Sequence, residues 1–180
     1  MKLGLITAIC EGMTFEEVVD FAAENGLECL EVACWPQGGA QRRYAGVSHI
    51  DVANLDEEKA NDIKNLCAKK GVEISALAYY PNTLDPDLEK RQSYIAHLYK
   101  LIDASAMLDV NMITTFIGRV PTKNFSENLE IVKEVWPPIL EYAQKKGVKV
   151  AIENCPMLFT EDEWPGGQNL MTTPVICRKI

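Results

Sequence analysis

Residues 145–153 read KKGVKVAIE, from Lys145 to Glu153, and Asn154-Cys155-Pro156 follow. Lysines and a glycine close a helix, because cations suit a helix C-terminus and glycine takes the left-handed turn that ends it. Lys149 to Ile152 (KVAI) is then a short, largely apolar strand of the kind a parallel sheet buries on both faces. The same succession occurs three more times. Residues 24–32 read ENGLECLEV, 69–77 KKGVEISAL and 107–115 MLDVNMITT. The four stops are Gly26, Gly71, Asp109 and Gly147, and one aliphatic residue follows each before a strand begins. Asp109 stands where a glycine is expected; aspartate tolerates left-handed backbone better than most residues.

Strand and helix alternating at a period of roughly 40 residues mean right-handed βαβ units on a parallel sheet. The strands predicted are Lys2–Ile9, Leu27–Trp35, Val72–Tyr80, Val110–Gly118 and Lys149–Ile152. Thr14-Phe15-Glu16-Glu17 is a capping box for the first helix, which ends at Asn25-Gly26. Asp56 caps the second. Asp85-Pro86 reads as an N-cap with proline at the first helical position. Ser126 is the expected cap of a helix reaching Lys145, and Pro137-Pro138 should kink or split it. Thr173-Pro174 opens a last helix. Two long loops, 36–54 and 158–170, follow the second and fifth strands. The first holds Gly38-Gly39, two arginines, Tyr44 and His49. Such loops often carry sites.

Two architectures fit this pattern. A doubly wound five-stranded sheet is complete at 180 residues. A (β/α)8 barrel needs about 250 residues, so the chain would hold about its first five strands. The barrel is favoured. The chain stops just after opening a helix, and the first strand-to-helix turn, AICEGMT (Ala8–Thr14), lacks G-x-G-x-x-G or any phosphate cradle. The expectation is an α/β fold of parallel βα repeats. It is a partial (β/α)8 TIM barrel occupying 1–180 as one domain, incomplete at its C-terminus.

Hydrophobic residues make up 47% and charged residues 24%, as in ordinary globular proteins. No apolar run approaches the roughly 20 residues that span a membrane, so no membrane partner is expected. The N-terminus reads as a core strand and not a signal peptide. A net charge of −8 opposes nucleic-acid binding, which needs clustered cations. The six cysteines contain no C-x-x-C pair, which argues against a cysteine zinc site and for reduced thiols in the cytoplasm.

Chemistry in α/β barrels sits at strand C-termini. Glu153 is there, and a carboxylate in apolar surroundings needs a cation or a proton beside it. It is therefore a candidate metal ligand and acid/base group; the alternative is a structural carboxylate capping the next loop. His49 lies after strand two and is a substrate contact or a surface histidine. Asn82 is a sugar-hydroxyl donor or a turn residue. Trp35 stacks on a sugar face or closes the barrel mouth. Thr115 and Arg119 flank the end of strand four, where an arginine can hold a phosphate or simply be solvated. Glu31 points into the barrel. Tyr79 and Tyr80 alternate, so one of them faces inward. His97, mid-helix, is structural or on the surface.

LGLITA, the TFEEVVDFAAENGLECLEV unit, SHIDV, ISALAYYPNTL, MITTFIGR and LEYAQKKGVKVAIENCPM occur in order. With them the chain resembles the sugar phosphate isomerase/epimerase superfamily, the xylose-isomerase-like TIM barrels, over essentially its whole length. That group includes hydroxypyruvate isomerases, ketose 3-epimerases, inosose dehydratases and endonuclease IV. The resemblance implies a sugar or sugar-phosphate substrate, proton transfer next to a carbonyl through an enediolate, and a divalent metal (Mn, Mg, Co or Zn). It also implies that Glu153 is a metal ligand. The other three ligands in such enzymes, an aspartate, a histidine and a second glutamate, come from later strands. A chain ending at Ile180 then holds one ligand of four, and turnover by it alone is expected to be poor. The alternative is a non-catalytic fragment or a flavodoxin-like binding module. Endonuclease IV-like hydrolysis comes third, opposed by the acidic charge. An open barrel exposes two sheet edges, which favours homo-oligomers.

Overall fold

Five parallel strands pair strictly in chain order: β1 (Gly4–Ile6), β2 (Cys29–Ala33), β3 (Glu73–Ala78), β4 (Met112–Thr115) and β5 (Lys149–Ile152). The structure is a computed structural model, which describes residues 1–37, 46–156 and 167–180. A doubly wound sheet reverses its strand order once; this one never does, which removes the flavodoxin-like alternative. Strands added in sequence around a barrel give this order. The sheet is open, with β1 and β5 as its edges. Gly38-Gly39, Tyr44, and most of the 158–170 loop lie outside the described residues.

The helices are α1 (Phe15–Glu24), α2 (Glu57–Lys70), α3 (Leu88–Met107), α4 (Phe125–Lys145) and the short α5 (Pro174–Cys177). Three caps are as predicted. Thr14 and Glu17 form the reciprocal capping box, Asp56 accepts from Lys59 N–H at 2.9 Å, and Thr173 accepts from Ile176. Asp109 has φ 58°, the left-handed stop expected of it.

Four expectations need correction. The first strand stops at Ile6, and Thr7–Ile9 curls into a 3-10 turn closed by Cys10 N–H on Thr7 O at 2.8 Å. The Thr7 hydroxyl meanwhile takes the Ala33 N–H at 2.9 Å, so a side chain supplies the bond a longer strand would have made. The cap of α3 is Asp87, not Asp85. Asp85 spends its carboxylate on Asp87 N–H, and that turn delays the helix by two residues. The cap of α4 is Asn124, not Ser126, with Glu127 completing its capping box. Finally, Pro137 and Pro138 do not split α4. Both face solvent, as do Lys133 and Glu134, whose carbonyls lose their partners to the prolines. Water can satisfy those groups, while Val132, Trp136, Ile139 and Ala143 keep the inner face packed.

The core lies between the convex face of the sheet and the helices. Leu30, Val32, Leu77 and Ile113 meet Val18, Val19 and Ala22 of α1 and Leu98, Leu101 and Ile102 of α3, all fully buried. Each such Val, Leu or Ile side chain contributes about 1.5–3 kcal/mol by leaving water. Strand side chains alternate between faces, so their neighbours Glu31, Thr114 and Ala151 point to the concave face.

Candidate active site

Period two assigns each strand's site residue. Ile6 pairs with Glu31, Glu31 with Ala76, and Thr114 with Ala151, so these residues share the concave face. A bulge matters here. The register shifts between Leu30 and Glu31, leaving Ser75 unpaired, and its hydroxyl donates to Leu30 O at 3.0 Å. That shift puts Ala76, Ala78 and then Tyr80 on the concave side and Leu77 and Tyr79 on the convex side. Tyr79 is buried, 5.0 Å edge-on from Trp35 and 4.6 Å from His97. Of the two tyrosines, Tyr80 is the one that faces inward.

A cavity of about 250 Å³ opens on this face, lined by Ile6, Glu31, Tyr80, Thr114, Ala151, Ile152 and Glu153. Two hydroxyls converge on one carboxylate oxygen: Tyr80 donates to Glu31 Oε1, and Thr114 donates to the same atom at 2.7 Å. Burial first, and then its bond to Glu31, push the Tyr80 phenol well above its usual range, so it stays protonated. Glu153 follows β5 directly, its N–H held by Thr115 O at 3.0 Å. Desolvation and then the nearby Glu31 charge raise its carboxyl above the ordinary range. Its side chain is nonetheless exposed, at the rim of the open sheet.

The other predicted residues do not line this cavity. Thr115 is fully buried and faces the helices, opposite to Thr114. Trp35 is half-buried against Tyr79. The amide of Asn82 is 5% exposed and staples two loops: its oxygen accepts from Arg119 N–H at 2.8 Å and Leu84 N–H at 3.2 Å, and its nitrogen donates to Arg119 O at 2.8 Å. Arg119 itself is half-buried. The cavity brings together Glu153, Glu31 and Tyr80, but not His49, Trp35, Asn82, Thr115 or Arg119.

His49 pins the first turn to the second. The Thr7 hydroxyl, already accepting from Ala33, donates to Nδ1 at 2.9 Å, and Nε2 donates to Cys10 O at 3.3 Å. That pattern satisfies a neutral imidazole. His97 is buried and donates to Cys34 O at 2.8 Å, a structural role. Burial lowers the pKa of both histidines from 6.5. Groups depressed in the fold add stability that is complete above pH 6.5 and is lost as pH falls through their folded values. Glu153 acts in the opposite sense, weakly because it is exposed. Urea unfolding is therefore expected to give equal midpoints at pH 7 and 8 and a clearly lower one near pH 5; an unchanged midpoint near pH 5 would contradict neutral buried histidines.

Asn169 went unnoticed in the sequence. It is fully buried, its oxygen accepting from Ile117 N–H at 3.1 Å and its nitrogen donating to Glu153 O at 3.0 Å and Cys155 O at 2.6 Å. It clamps the ends of β4 and β5 and so fixes the backbone that carries Glu153. Replacing it with Ala orphans one buried N–H and two carbonyls, and the expected loss is about 3 kcal/mol of unfolding free energy in a urea titration.

Among the described residues, no group of three or more His, Cys, Asp or Glu side chains is placed to hold a metal ion. A hard divalent cation takes about six ligands. The donors among the described residues do not by themselves fit one. Among the described residues, no helix is long and apolar enough to cross a membrane.

Solved structures with this fold include D-psicose 3-epimerase with D-tagatose from Clostridium cellulolyticum H10 (18% identity, TM-score 0.65, covering 89% of this chain and 55% of that one). The probable 3-DHS dehydratase AsbF from Bacillus anthracis matches at 20% identity and TM-score 0.69, covering 99% and 57%. D-allulose 3-epimerase from Methylomonas sp. matches at 16% and 0.64, covering 99% and 57%. The chain thus spans between half and two thirds of the length of these structures. No curated protein sequence matches. The model of the family described as xylose isomerase-like TIM barrel matches residues 19–173. With five parallel strands in barrel order and that match over most of its length, the chain belongs to the xylose isomerase-like TIM barrel family.

Proposed function

We propose that the concave face is part of the active site of a sugar isomerase or epimerase. Its reaction is proton transfer at the carbon next to a carbonyl. The observation that carries this is the Glu153 carboxyl at the C-terminal end of β5, raised by partial burial and by Glu31, within one cavity with Glu31, Tyr80 and Thr114. A carboxyl shifted toward neutral pH accepts a carbon-bound proton more readily than an ordinary glutamate, and can return it. Returning it to the neighbouring carbon gives isomerisation; epimerisation needs a second acid to deliver a proton to the opposite face. Ile6, Ala151 and Ile152 provide an apolar wall, while Glu31, Tyr80 and Thr114 offer polar contacts to a polyol. The 3-epimerases among the similar structures support a ketose as substrate.

A divalent cation of the Mn, Mg, Co or Zn class would polarise the carbonyl when bound. Among the described residues Glu153 is the one that would hold it, and the cation would need further ligands. His49, Trp35, Asn82, Thr115 and Arg119, read from the sequence as substrate contacts, do not line this cavity. All six cysteines are free thiols, which supports the cytoplasm, and the net charge of −8 supports a small-molecule partner over nucleic acid. The open edges β1 and β5 support self-association. The test is solvent-deuterium incorporation into D-psicose at the carbon beside its carbonyl, followed by NMR. Slow exchange that depends on Glu153 is expected; no exchange above buffer overturns the reading.

A further inference from the structure

Glu31, Tyr80, Thr114 and Glu153 are the polar side chains of the cavity, and hydrogen bonding divides them unequally. Tyr80 and Thr114 both give their hydroxyl proton to Oε1 of Glu31, and their own oxygens lie 3.0 Å apart. A carboxylate only accepts hydrogen bonds, with about two lone-pair sites on each oxygen. Oε1 is therefore filled. Oε2 has no hydrogen-bond partner among the described residues, and it is not sealed from solvent. Glu31 stands on the concave face, so the open space beside it is the cavity.

Three strands cooperate to hold this carboxylate half-used. The bulge at Ser75 turns Tyr80 toward a glutamate of β2, and β4 brings Thr114 to the same atom. Bulges that re-aim a side chain are frequent beside active sites. Two donors on one oxygen fix the rotation of the carboxylate, so little freedom is lost when a third donor reaches the other oxygen. Ile6, Ala151 and Ile152 complete the lining with apolar side chains. The protons of Tyr80 and Thr114 are already committed. Outside Glu153, Oε2 is thus the open acceptor that a polyol meets on entering.

We infer that Glu31 is a specificity-determining residue, its Oε2 accepting the proton of one substrate hydroxyl while Tyr80 and Thr114 position it. Resting on the proposed function, this gives Glu153 the carbon-bound proton and Glu31 the choice of sugar. A site built to hydrogen-bond a hydroxyl rejects an analogue that lacks it, because the site's own polar atom is then left unpaired.

The probes are D-psicose and its monodeoxy analogues, each titrated into the protein and followed by NMR. Wild type is expected to bind one analogue at least tenfold more weakly than D-psicose. In Glu31→Gln the amide oxygen still accepts from Tyr80 and Thr114, which preserves the fold and turns the amide nitrogen to the cavity, where it cannot accept. This variant is expected to bind that analogue and D-psicose within threefold of each other. The ring equilibria of the sugars are the same for both proteins and cancel in the comparison. Tyr80→Phe is expected to reduce the discrimination at least threefold; a merely structural bond would lower the melting temperature and leave the ratio alone. Equal binding of every analogue by wild type overturns the proposal without the need for a variant. So does tenfold discrimination that survives in Glu31→Gln, and an unchanged ratio in Tyr80→Phe removes the positioning role. Failure of D-psicose to bind at all overturns this proposal and the isomerase reading together. Glu31-dependent discrimination without Glu153-dependent exchange would leave the hydroxyl contact standing and remove only the isomerase reading; exchange without discrimination would do the reverse.

Discussion

Replacing Glu153 with Gln is expected to slow deuterium exchange into the ketose by about 10²–10⁴-fold. The substitution keeps the side chain's length and its hydrogen-bonding reach. It removes the one property the reaction needs, a group that takes a proton and returns it. Glu153 is exposed at the rim and its backbone is held by Thr115 and Asn169, so the fold should survive: thermal melts of the two proteins are expected to coincide. Exchange persisting within threefold of wild type would show that this carboxyl does not transfer the proton.

The largest loss of stability is expected from Gly118→Ala. Gly118 has φ +83°, where an L-residue is strained by about 1–2 kcal/mol. The strain is the smaller part. An added Cβ would lie 2.6 Å from Asn82 Oδ1, 2.7 Å from Leu84 N and 2.9 Å from Thr83 N. Two of these are backbone atoms, and the third belongs to the amide that staples Arg119. None can move without breaking the staple, so a total near 4 kcal/mol is expected, large beside the 5–15 kcal/mol that stabilises a typical domain. Gly71→Ala is the internal control. It has φ +70° and nothing within 4 Å of the added atom, so strain alone, about 1–2 kcal/mol, should appear. Equal urea midpoints for the two variants would mean that the β4 loop yields more easily than its hydrogen bonds imply.

The repeat was legible because its punctuation is local. Gly26, Gly71, Asp109 and Gly147 each take a positive φ that few residues tolerate, so the residue types alone mark the helix ends. Helix starts were less legible where several candidate caps crowd together. Asp85 and Asp87 compete for one helix, and Asn124 and Ser126 for another; which wins depends on the turn before it. At the site, Glu153 could be placed from the end of its strand. The convergence of Tyr80 and Thr114 on Glu31 could not, because one bulge at Ser75 decides which tyrosine faces inward. Asn169 left no signal at all: in a polar, glycine-rich stretch it reads as a turn residue, and its three bonds exist only once β4 and β5 lie side by side.

Because every strand pairs with the one made just before it, the sheet can grow at the ribosome in the order of synthesis. No strand has to wait for a distant partner, so little chain entropy is lost before each contact repays it. Each finished βα unit leaves a fresh template for the next, and the nascent domain extends by accretion and not by a single late collapse.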